Sequence, residues 1–310
     1  MFSVIFPGQG SQIVGMASEF YSKFELFKKL YRQADEVLNF PLSKLILEGP
    51  KEKLDLTENT QPAIFLVGYS IFQILKEEYK IDLNKAKFFA GHSLGEYTAL
   101  ACAGALDFES TLKILKFRGN AMQSAVPKGE GGMLAILGSN TETIEKIFND
   151  NKDKYQCFIA NDNSNGQLVA SGKMEDINKL SLDLTSKSIK NIKLSVSAPF
   201  HCHLMSKASE FMKKEIEKLK FVDFQNPLIS NVTATEIKDK DSLKDLLVKQ
   251  IESRVRWRES VLYMINNGVN QFIEIGPGKV LSGLIKRIDR NVKIGAINKE
   301  EDISILKIND

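Results

Sequence analysis

The chain has 310 residues, of which 43% are hydrophobic and 26% are charged, with a net charge of +3 and a pI near 8.5. This composition is typical of a globular protein with one large or two smaller domains. The charge is too small for a nucleic-acid-binding protein, although an acidic protein could dock on a local basic patch. Cys102, Cys157 and Cys202 lie far apart, which predicts neither disulfides nor a metal site and fits a reducing cytoplasm.

No membrane segment is predicted. The longest apolar stretch, residues 63–75, is interrupted by Gly68, Ser70 and Gln73 and is too short to span a bilayer. The first eight residues lack a basic start and reach Pro7 at once, which indicates a strand and not a signal peptide. We therefore expect a cytoplasmic protein.

Short apolar runs alternate with longer helical patterns, which predicts an α/β fold with a mostly parallel sheet. Pro62 is expected in the first turn of one helix, and Asp107 is expected to cap another. Up to residue 126 the predicted elements are strands at 3–6 and 87–90 and helices at 24–38, 60–79, 96–103 and 108–125.

The middle of the chain has a different order of elements. The pattern from residue 133 to 196 is β-α-β-β-α-β, with a hairpin turn at 163–166. This order predicts a ferredoxin-like subdomain at 127–198, inserted in a large domain formed by 1–126 and 199–310, with hinges at 127–132 and 198–199. The cleft between the two is the expected ligand site. The predicted elements of the insert are strands at 134–137, 157–160, 168–171 and 189–196 and helices at 141–153 and 175–186.

The rest of the chain returns to the large domain. Its predicted elements are strands at 228–232, 271–275 and 292–297 and helices at 204–219, 242–250, 259–267 and 279–288.

The stretch from Gly91 to Gly95 carries the clearest chemical signal. It has the form Gly-x-Ser-x-Gly and lies between a predicted strand and a predicted helix, the context of a nucleophile elbow. Ser93 is therefore the candidate nucleophile, with the helix N-terminus behind it available to a developing oxyanion. The alternative is a turn whose serine only caps the helix.

A serine nucleophile needs a base within hydrogen-bond reach. Of the three histidines, His92 points away from a neighbouring elbow serine and His203 is expected to start the next helix. His201 is therefore the candidate base, although a pair of solvated histidines remains an alternative. The candidate third carboxylates between Ser93 and His201, such as Asp150, Asp153 and Asp183, lie on or beside helices of the insert, and none follows a convincing strand of the main sheet. A dyad oriented by a backbone carbonyl therefore stays open.

Arg118 lies on the helix after the elbow helix, among apolar neighbours. A partly buried guanidinium needs a carboxylate in bidentate geometry, and a substrate can supply it. The alternative is a structural ion pair with Glu96 or Asp107.

Together these motifs resemble the malonyl-CoA:acyl-carrier-protein transacylase family, the acyltransferases of fatty-acid and polyketide synthesis. The resemblance covers nearly the whole chain and implies a hydrolase-like α/β domain with a ferredoxin-like insert. The stretches that carry it are Phe6-Pro7-Gly8-Gln9-Gly10-Ser11-Gln12, Thr60-Gln61-Pro62-Ala63, Gly91-His92-Ser93-Leu94-Gly95-Glu96-Tyr97, Phe117-Arg118-Gly119, Pro199-Phe200-His201 and Glu274-Ile275-Gly276-Pro277-Gly278-Lys279-Val280-Leu281.

The resemblance implies a ping-pong reaction through a malonyl ester of Ser93. His201 would accept the serine proton and return it to the coenzyme A thiol. The backbone N–H groups of Gln9 and Leu94 would form the oxyanion hole, and the backbone carbonyl of Gln250 would orient His201 in place of an acid.

For the substrate, the resemblance implies that Arg118 pairs with the malonyl carboxylate and that Asn163 lines the cleft. Phe200 and Leu94 match the malonyl-selective pattern. Malonyl-CoA is then the donor, and the acceptor is the phosphopantetheine thiol of an acidic, transiently bound acyl carrier protein. No cofactor or metal is expected, and we expect a monomer.

Two sets of cations are candidate docking sites for the carrier, by electrostatic steering; ordinary solvated side chains are the alternative. The sets are Lys286, Arg287 and Arg290, and Lys187, Lys190 and Lys193. Two rival functions also remain open. A serine hydrolase would release free malonate without a carrier, and a non-catalytic scaffold would bind the carrier without forming a covalent intermediate.

Overall fold

The computed structural model describes residues 1–127, 129–196 and 198–307, so Lys128 and Ser197, in the two ends of the predicted insert, lie outside the described residues. The strands are β1 (Phe2–Phe6), β2 (Phe88–Gly91), β3 (Gly131–Leu137), β4 (Cys157–Ser164), β5 (Gln167–Lys173), β6 (Lys190–Lys193), β7 (Leu228–Ile229), β8 (Glu236–Ile237), β9 (Gln271–Ile275) and β10 (Lys293–Ile297). The α-helices are α1 (Ser18–Lys23), α2 (Glu25–Leu38), α3 (Leu42–Glu48), α4 (Lys51–Leu54), α5 (Thr57–Glu77), α6 (Leu94–Cys102), α7 (Phe108–Ser124), α8 (Thr141–Asp150), α9 (Met174–Ser186), α10 (Ser206–Lys218), α11 (Leu243–Glu252), α12 (Trp257–Asn266), α13 (Val280–Ile288) and α14 (Ser304–Lys307).

The larger sheet has six strands in the order β10-β9-β1-β2-β7-β8. All neighbours are parallel except β7 and β8. The central strands β1, β2 and β9 are mostly apolar and almost fully buried, as expected for parallel strands covered on both faces. Their carboxyl ends meet at one edge, where ligands bind in open α/β sheets. The predicted mixed α/β class with a parallel-rich sheet is confirmed.

The second sheet has four antiparallel strands in the order β4-β5-β3-β6. Together with α8 and α9 it encloses a hydrophobic cluster of its own. β4 and β5 are longer than the sequence predicts: β4 continues through Asn161-Asp162-Asn163-Ser164, all four of which are buried. Polar residues extend this strand because Asp162 and Asn163 meet partners outside the small sheet, as described below.

Direct bonds join the two sheets. The backbone of Val255, just before α12, pairs with Ala160 and Asp162 of β4, with N···O distances of 2.8 and 3.0 Å. The Arg258 guanidinium adds a bidentate ion pair to the Asp162 carboxylate, which is only 1% exposed. The Arg287 side chain of α13 donates to Gln167 Oε1 of β5. The small sheet is therefore fastened to the large one at several points.

Several predicted boundaries are wrong. The helix predicted at 60–79 is α5 and starts at Thr57, so Pro62 lies in its second turn; side-chain bonds from Asn59 and Thr60 to the carbonyls of Lys53 and Leu54 secure the extra turn. The sequence analysis missed α1, α3 and α4, which are only four to seven residues long. His203 starts a 3₁₀ turn at 203–205, and the helix proper begins at Ser206.

Two strands are shorter than predicted: β6 ends at Lys193 instead of Val196, and β7 ends at Ile229 instead of Val232. The helix predicted at 141–153 ends at Asp150. In contrast, β9 has its predicted bounds, and Asp107 caps α7 by accepting a hydrogen bond from the Ser110 N–H. Among the described helices, none combines the length and the apolar character that crossing a bilayer requires.

Two helical glycines provide a test of the packing between α5 and α7. A Cβ at Gly119 would lie 2.5 Å from the Glu58 Cα, whereas a Cβ at Gly283 of α13 would meet no atom within 4 Å. We expect Gly119→Ala to lower the free energy of unfolding by about 2–3 kcal/mol because backbone must move. Gly283→Ala is the matched control and should raise it by up to about 1 kcal/mol. Urea denaturation of both variants measures this, and equal effects would contradict the packing described here.

Candidate active site

Ser93 lies at a strained turn between β2 and α6. Its backbone has φ 54° and ψ −111°, values that a non-glycine residue rarely adopts. The turn requires glycine on both sides, since a Cβ at Gly91 would lie 1.9 Å from the carbonyl of Gly95, and one at Gly95 would lie 2.3 Å from the Phe6 oxygen. The strand-turn-helix context predicted for this pentapeptide is therefore present, and it lifts Ser93 above the carboxyl edge of the sheet.

Asn231 secures this turn, and the sequence analysis missed it. Its Oδ1 accepts from the Ser93 N–H at 2.7 Å, and its Nδ2 donates to the Gly91 carbonyl at 2.7 Å. Asn231 is 1% exposed and follows β7, the neighbour of β2 in the sheet. A polar residue just after a parallel strand was the available signal, but the predicted strand ran through it to Val232.

The Ser93 hydroxyl contacts His201, with 2.8 Å between Oγ and Nε2. On the other side of the ring, Nδ1 lies 2.9 Å from the backbone carbonyl of Gln250. A carbonyl can only accept, so Nδ1 carries the ring proton and Nε2 presents its lone pair to the Ser93 O–H. No carboxylate takes part in this geometry, which is the arrangement left open for a dyad oriented by the backbone.

His201 is 4% exposed and adopts φ 58°. Burial, together with the positive charge of Arg118, lowers its pKa to about 3. The imidazole is therefore neutral at physiological pH and able to accept a proton.

Arg118 is 1% exposed and points at the same hydroxyl. Its Nη1 donates to Gln61 Oε1 at 2.8 Å, and its Nη2 donates to Gln250 Oε1 at 2.9 Å and to Ser93 Oγ at 3.2 Å. The alternative of an ion pair with Glu96 or Asp107 is not found: within the described ranges, no carboxylate oxygen lies within 4.0 Å of the guanidinium. Gln61 belongs to a stretch that the sequence analysis singled out, but no role was assigned to it there.

These groups line a cavity of about 220 Å³ between the two sheets. Gln9 and Leu94 both face it, and neither backbone N–H donates a hydrogen bond to another group of the described chain. Asn163 of β4 lines the opposite wall and accepts from His92 Nε2 at 2.8 Å. Six of the seven residues predicted for the site line this cavity, and the seventh, Gln250, bonds three of them: Ser93, Arg118 and His201. Its lining residues are Gln9, Gln61, His92, Ser93, Leu94, Arg118, Met122, Met133, Ala135, Asn161, Asn163, Gln167, Val169, Leu194, Val196, Phe200 and His201.

Three larger surface hollows, of about 600, 620 and 640 Å³, do not reach Ser93, although the second is lined in part by His201. Within the described residues, no cluster of three or more histidine, cysteine or acidic side chains is arranged to hold a metal. In the part of the chain that the structure describes, a hydroxyl, a neutral imidazole, two free amides and a buried cation converge in the smaller cavity. This set can support nucleophilic attack on an activated carbonyl whose substituent carries a negative charge.

The chain was compared with known families and solved structures. The model of the acyl transferase domain family matches residues 3–300. A protein of Bacillus subtilis named malonyl CoA-acyl carrier protein transacylase is 41% identical over 304 residues, covering 97% of this chain and 94% of the relative.

Two solved structures share the fold over almost the whole chain. An acyl-carrier-protein-S-malonyltransferase of Bartonella henselae superposes with a TM-score of 0.95 at 38% identity, covering 99% of each chain. A malonyl-transacylase in complex with its type II PKS acyl-carrier protein has a TM-score of 0.95 at 34% identity, covering 100% of this chain and 99% of that one. The chain therefore belongs to the acyl transferase family and, within it, to the malonyl CoA-acyl carrier protein transacylases.

Proposed function

We propose that this enzyme transfers a malonyl group from malonyl-CoA to the phosphopantetheine thiol of an acyl carrier protein, through a malonyl ester of Ser93. The observation that carries the proposal is the buried Arg118 guanidinium beside the Ser93 hydroxyl, with no carboxylate partner in the described chain. A carboxylate on the acyl group would supply that partner. The names of the relatives support the same substrate and acceptor.

In the first half-reaction, Ser93 Oγ attacks the thioester carbonyl carbon as its proton passes to His201 Nε2. The new oxyanion would lie against the N–H groups of Gln9 and Leu94, with the N-terminus of α6 behind it. The C–S bond then breaks, and the proton on His201 goes to the departing coenzyme A sulfur. The Gln250 carbonyl, bonded to Nδ1, stabilises the transient imidazolium and keeps the ring in one orientation.

In the second half-reaction, the carrier thiol gives its proton to His201 and attacks the ester, and Ser93 Oγ leaves with the proton. Thioester-to-ester exchange is nearly balanced in energy, so the site must exclude water while the ester waits. The apolar part of the cavity lining, including Met122, Val169 and Phe200, supports that requirement.

The acyl carrier protein is expected to dock near α13. Arg287 of this helix bonds Gln167, which lines the Ser93 cavity, so cations on α13 flank an approach to the site. Lys286, Arg287 and Arg290 are all exposed, as are Lys187, Lys190 and Lys193 near β6. An acidic partner would be attracted to this surface.

We also propose that residues 127–198 form a ferredoxin-like insert between the two parts of a hydrolase-like domain, 1–126 and 199–310. The strand order β4-β5-β3-β6, with α8 and α9 as the two crossovers, supports this classification. Function as a cytoplasmic monomer without metal or cofactor stays a prediction.

The first prediction concerns the nucleophile. Ser93→Ala should abolish the malonyl adduct that intact-protein mass spectrometry detects after incubation with malonyl-CoA, and the wild-type adduct should disappear when a holo carrier protein is added. Cys102, Cys157 and Cys202 are buried and burial raises the pKa of each thiol, so they should not be acylated instead. An adduct that persists in Ser93→Ala would refute the assignment. Loss of the adduct to water, with no need for a carrier, would instead indicate a hydrolase.

The second prediction concerns the anchor. Arg118→Ala should lower kcat/KM for malonyl-CoA by about 100-fold or more, because a buried charge-assisted pair is worth ~3 kcal/mol. The rate with acetyl-CoA should fall much less, since acetyl makes no such pair. The two substrates serve as controls for each other on the same folded protein. Unchanged preference for malonyl over acetyl would place the carboxylate elsewhere.

The third prediction concerns the carrier. Lys286→Glu should raise KM for the holo carrier several-fold at low salt, with the difference shrinking as salt rises. Formation of the malonyl-enzyme from malonyl-CoA should not change, because that half-reaction needs no carrier. Lys29→Glu, an exposed reversal on α2, is the matched control. Equal effects of the two reversals would exclude α13 as the docking surface.

A further inference from the structure

The guanidinium of Arg118 has only neutral hydrogen-bond partners. Among the described residues they are Gln61, Ser93 and Gln250; Arg118 Nε donates no hydrogen bond, and the Tyr97 ring centroid lies 5.6 Å from the guanidinium carbon. Burying an unpaired cation is costly, since the protein dipoles around it replace only part of its hydration. A negative charge close by would therefore stabilise the buried Arg118 cation in the empty enzyme.

Glu96 of α6 is linked to Arg118 through one side-chain amide. Gln250 Oε1 accepts from Arg118 Nη2 at 2.9 Å, and Gln250 Nε2 donates to Glu96 Oε2 at 2.7 Å. An amide held between a cation and an anion is polarised so that both bonds strengthen. Glu96 is 1% exposed, and the reaction proposed above does not use it.

The two oxygens of Glu96 are in unequal surroundings. Oε2 accepts from Gln250 Nε2 and from the Asn231 N–H at 3.1 Å, whereas Oε1 is buried without a hydrogen-bond partner. A bare carboxylate oxygen in such a place is poorly stabilised and is the natural site for a proton.

We propose that Glu96, acting through the Gln250 amide, is the counter-charge of Arg118 in the empty enzyme, and that it takes up a proton from solvent when a substrate carboxylate pairs with Arg118. This inference rests on the proposed function, because it needs an acyl group with a carboxylate. It makes Glu96 a residue that determines specificity without touching the substrate. While Glu96 is charged, it partly satisfies Arg118 and so weakens the enzyme's preference for malonyl over acetyl. Once Glu96 is neutral, that preference is at its strongest.

Of the ionisable groups in and around the site, Glu96 is the one whose charge changes between pH 6 and 8.5. Burial raises the pKa of Glu96 to about 7, against the opposing effect of the Arg118 charge. His201, with a pKa of about 3, and Tyr97, with a pKa of about 12, stay neutral between pH 6 and 8.5.

The elements that pack against α6 add no other charge that acts on Glu96. β1, β2 and β7 contain no ionisable side chain, and α11 reaches Glu96 only through Gln250. The ionisable groups of α5 and α7 are not among those that shift the Glu96 pKa, except for Arg118. These other groups are Glu58, Tyr69, Lys76 and Glu77 on α5 and Glu109, Lys113 and Lys116 on α7.

The sign of the effect follows from linkage. A second carboxylate at Arg118 repels the charge on Glu96 and takes over its role, so malonyl loading raises the Glu96 pKa. Proton binding and malonyl loading therefore favour each other, and the preference for malonyl over acetyl must increase as the pH falls through 7. The malonyl carboxylate itself, with a pKa of about 4, stays ionised over this range.

The test is the ratio of kcat/KM for malonyl-CoA to kcat/KM for acetyl-CoA, measured for acyl-enzyme formation from pH 6 to 8.5. Because both substrates use Ser93 and His201, any effect of pH on the shared chemistry cancels in the ratio. In the unmodified enzyme the ratio should rise towards pH 6, by up to about tenfold for each unit by which malonyl raises the Glu96 pKa. In Glu96→Gln, which keeps the shape and the bond from Gln250, the ratio should be independent of pH and at least as high as the wild-type value at pH 6.

Glu274→Gln is the matched control, because Glu274 is equally buried but bonds only to the start of α13. It should keep the wild-type slope. A flat ratio in the unmodified enzyme, or a full slope in Glu96→Gln, overturns the inference and leaves the proposed function intact. Absence of malonyl transfer at every pH overturns both, so the two failures are distinguishable. The wild-type profile needs no variant, so it decides even if Glu96→Gln does not fold.

Discussion

The close approach of the α6 backbone to β1 and β2 is the constraint on which the site depends. Gly91 and Gly95 leave no room for a side chain, and the chain must turn through the strained conformation of Ser93 to pass from strand to helix. Without further bonds, this turn could relax to a less strained backbone conformation. Asn231, which follows the neighbouring strand β7, accepts a hydrogen bond from the Ser93 N–H and donates one to the Gly91 carbonyl. Ser93 is therefore held by close packing against β1 and β2 and by bonds from the segment after β7, and not by its own loop alone.

Around this fixed hydroxyl lie a buried cation and a buried acid that do not contact each other directly. Arg118 enters from α7, Glu96 comes from the elbow helix itself, and the Gln250 side chain stands between them. The backbone carbonyl of the same Gln250 orients His201. One residue of α11 thus connects His201, Arg118 and Glu96, so a small movement of this helix would disturb all three. The network explains how a serine can be supported without an aspartate beside the histidine.

Much of this arrangement could be predicted from the sequence because it depends on local patterns. Apolar runs located the parallel strands, and the two glycines around Ser93 located the turn. The short helices α1, α3 and α4 could not be predicted, since each is too short to show a period and is stabilised by packing. The polar end of β4 was missed for a related reason: Asp162 and Asn163 look like loop residues until Arg258 and His92 are seen to meet them.

Asn231 shows the limit most clearly. Its role depends on β7 lying next to β2, a pairing between segments that are about 140 residues apart in the chain. No periodicity within either segment carries that information. The roles of Ser93, His201 and Arg118, in contrast, were inferred from residue type and from the resemblance to a family, and their convergence on one cavity is what geometry adds.

The bonds that fasten the small sheet to the large one have a consequence for how thioesters enter. Because β4 is bonded to the segment around Val255 and Arg258, separating the walls on either side of Ser93 would require these bonds to break. The donor and the acceptor of the proposed reaction would then both have to reach Ser93 through one cavity of about 220 Å³. Strict alternation of donor and acceptor would follow from their sharing one entrance to Ser93. It would require no signal between separate sites.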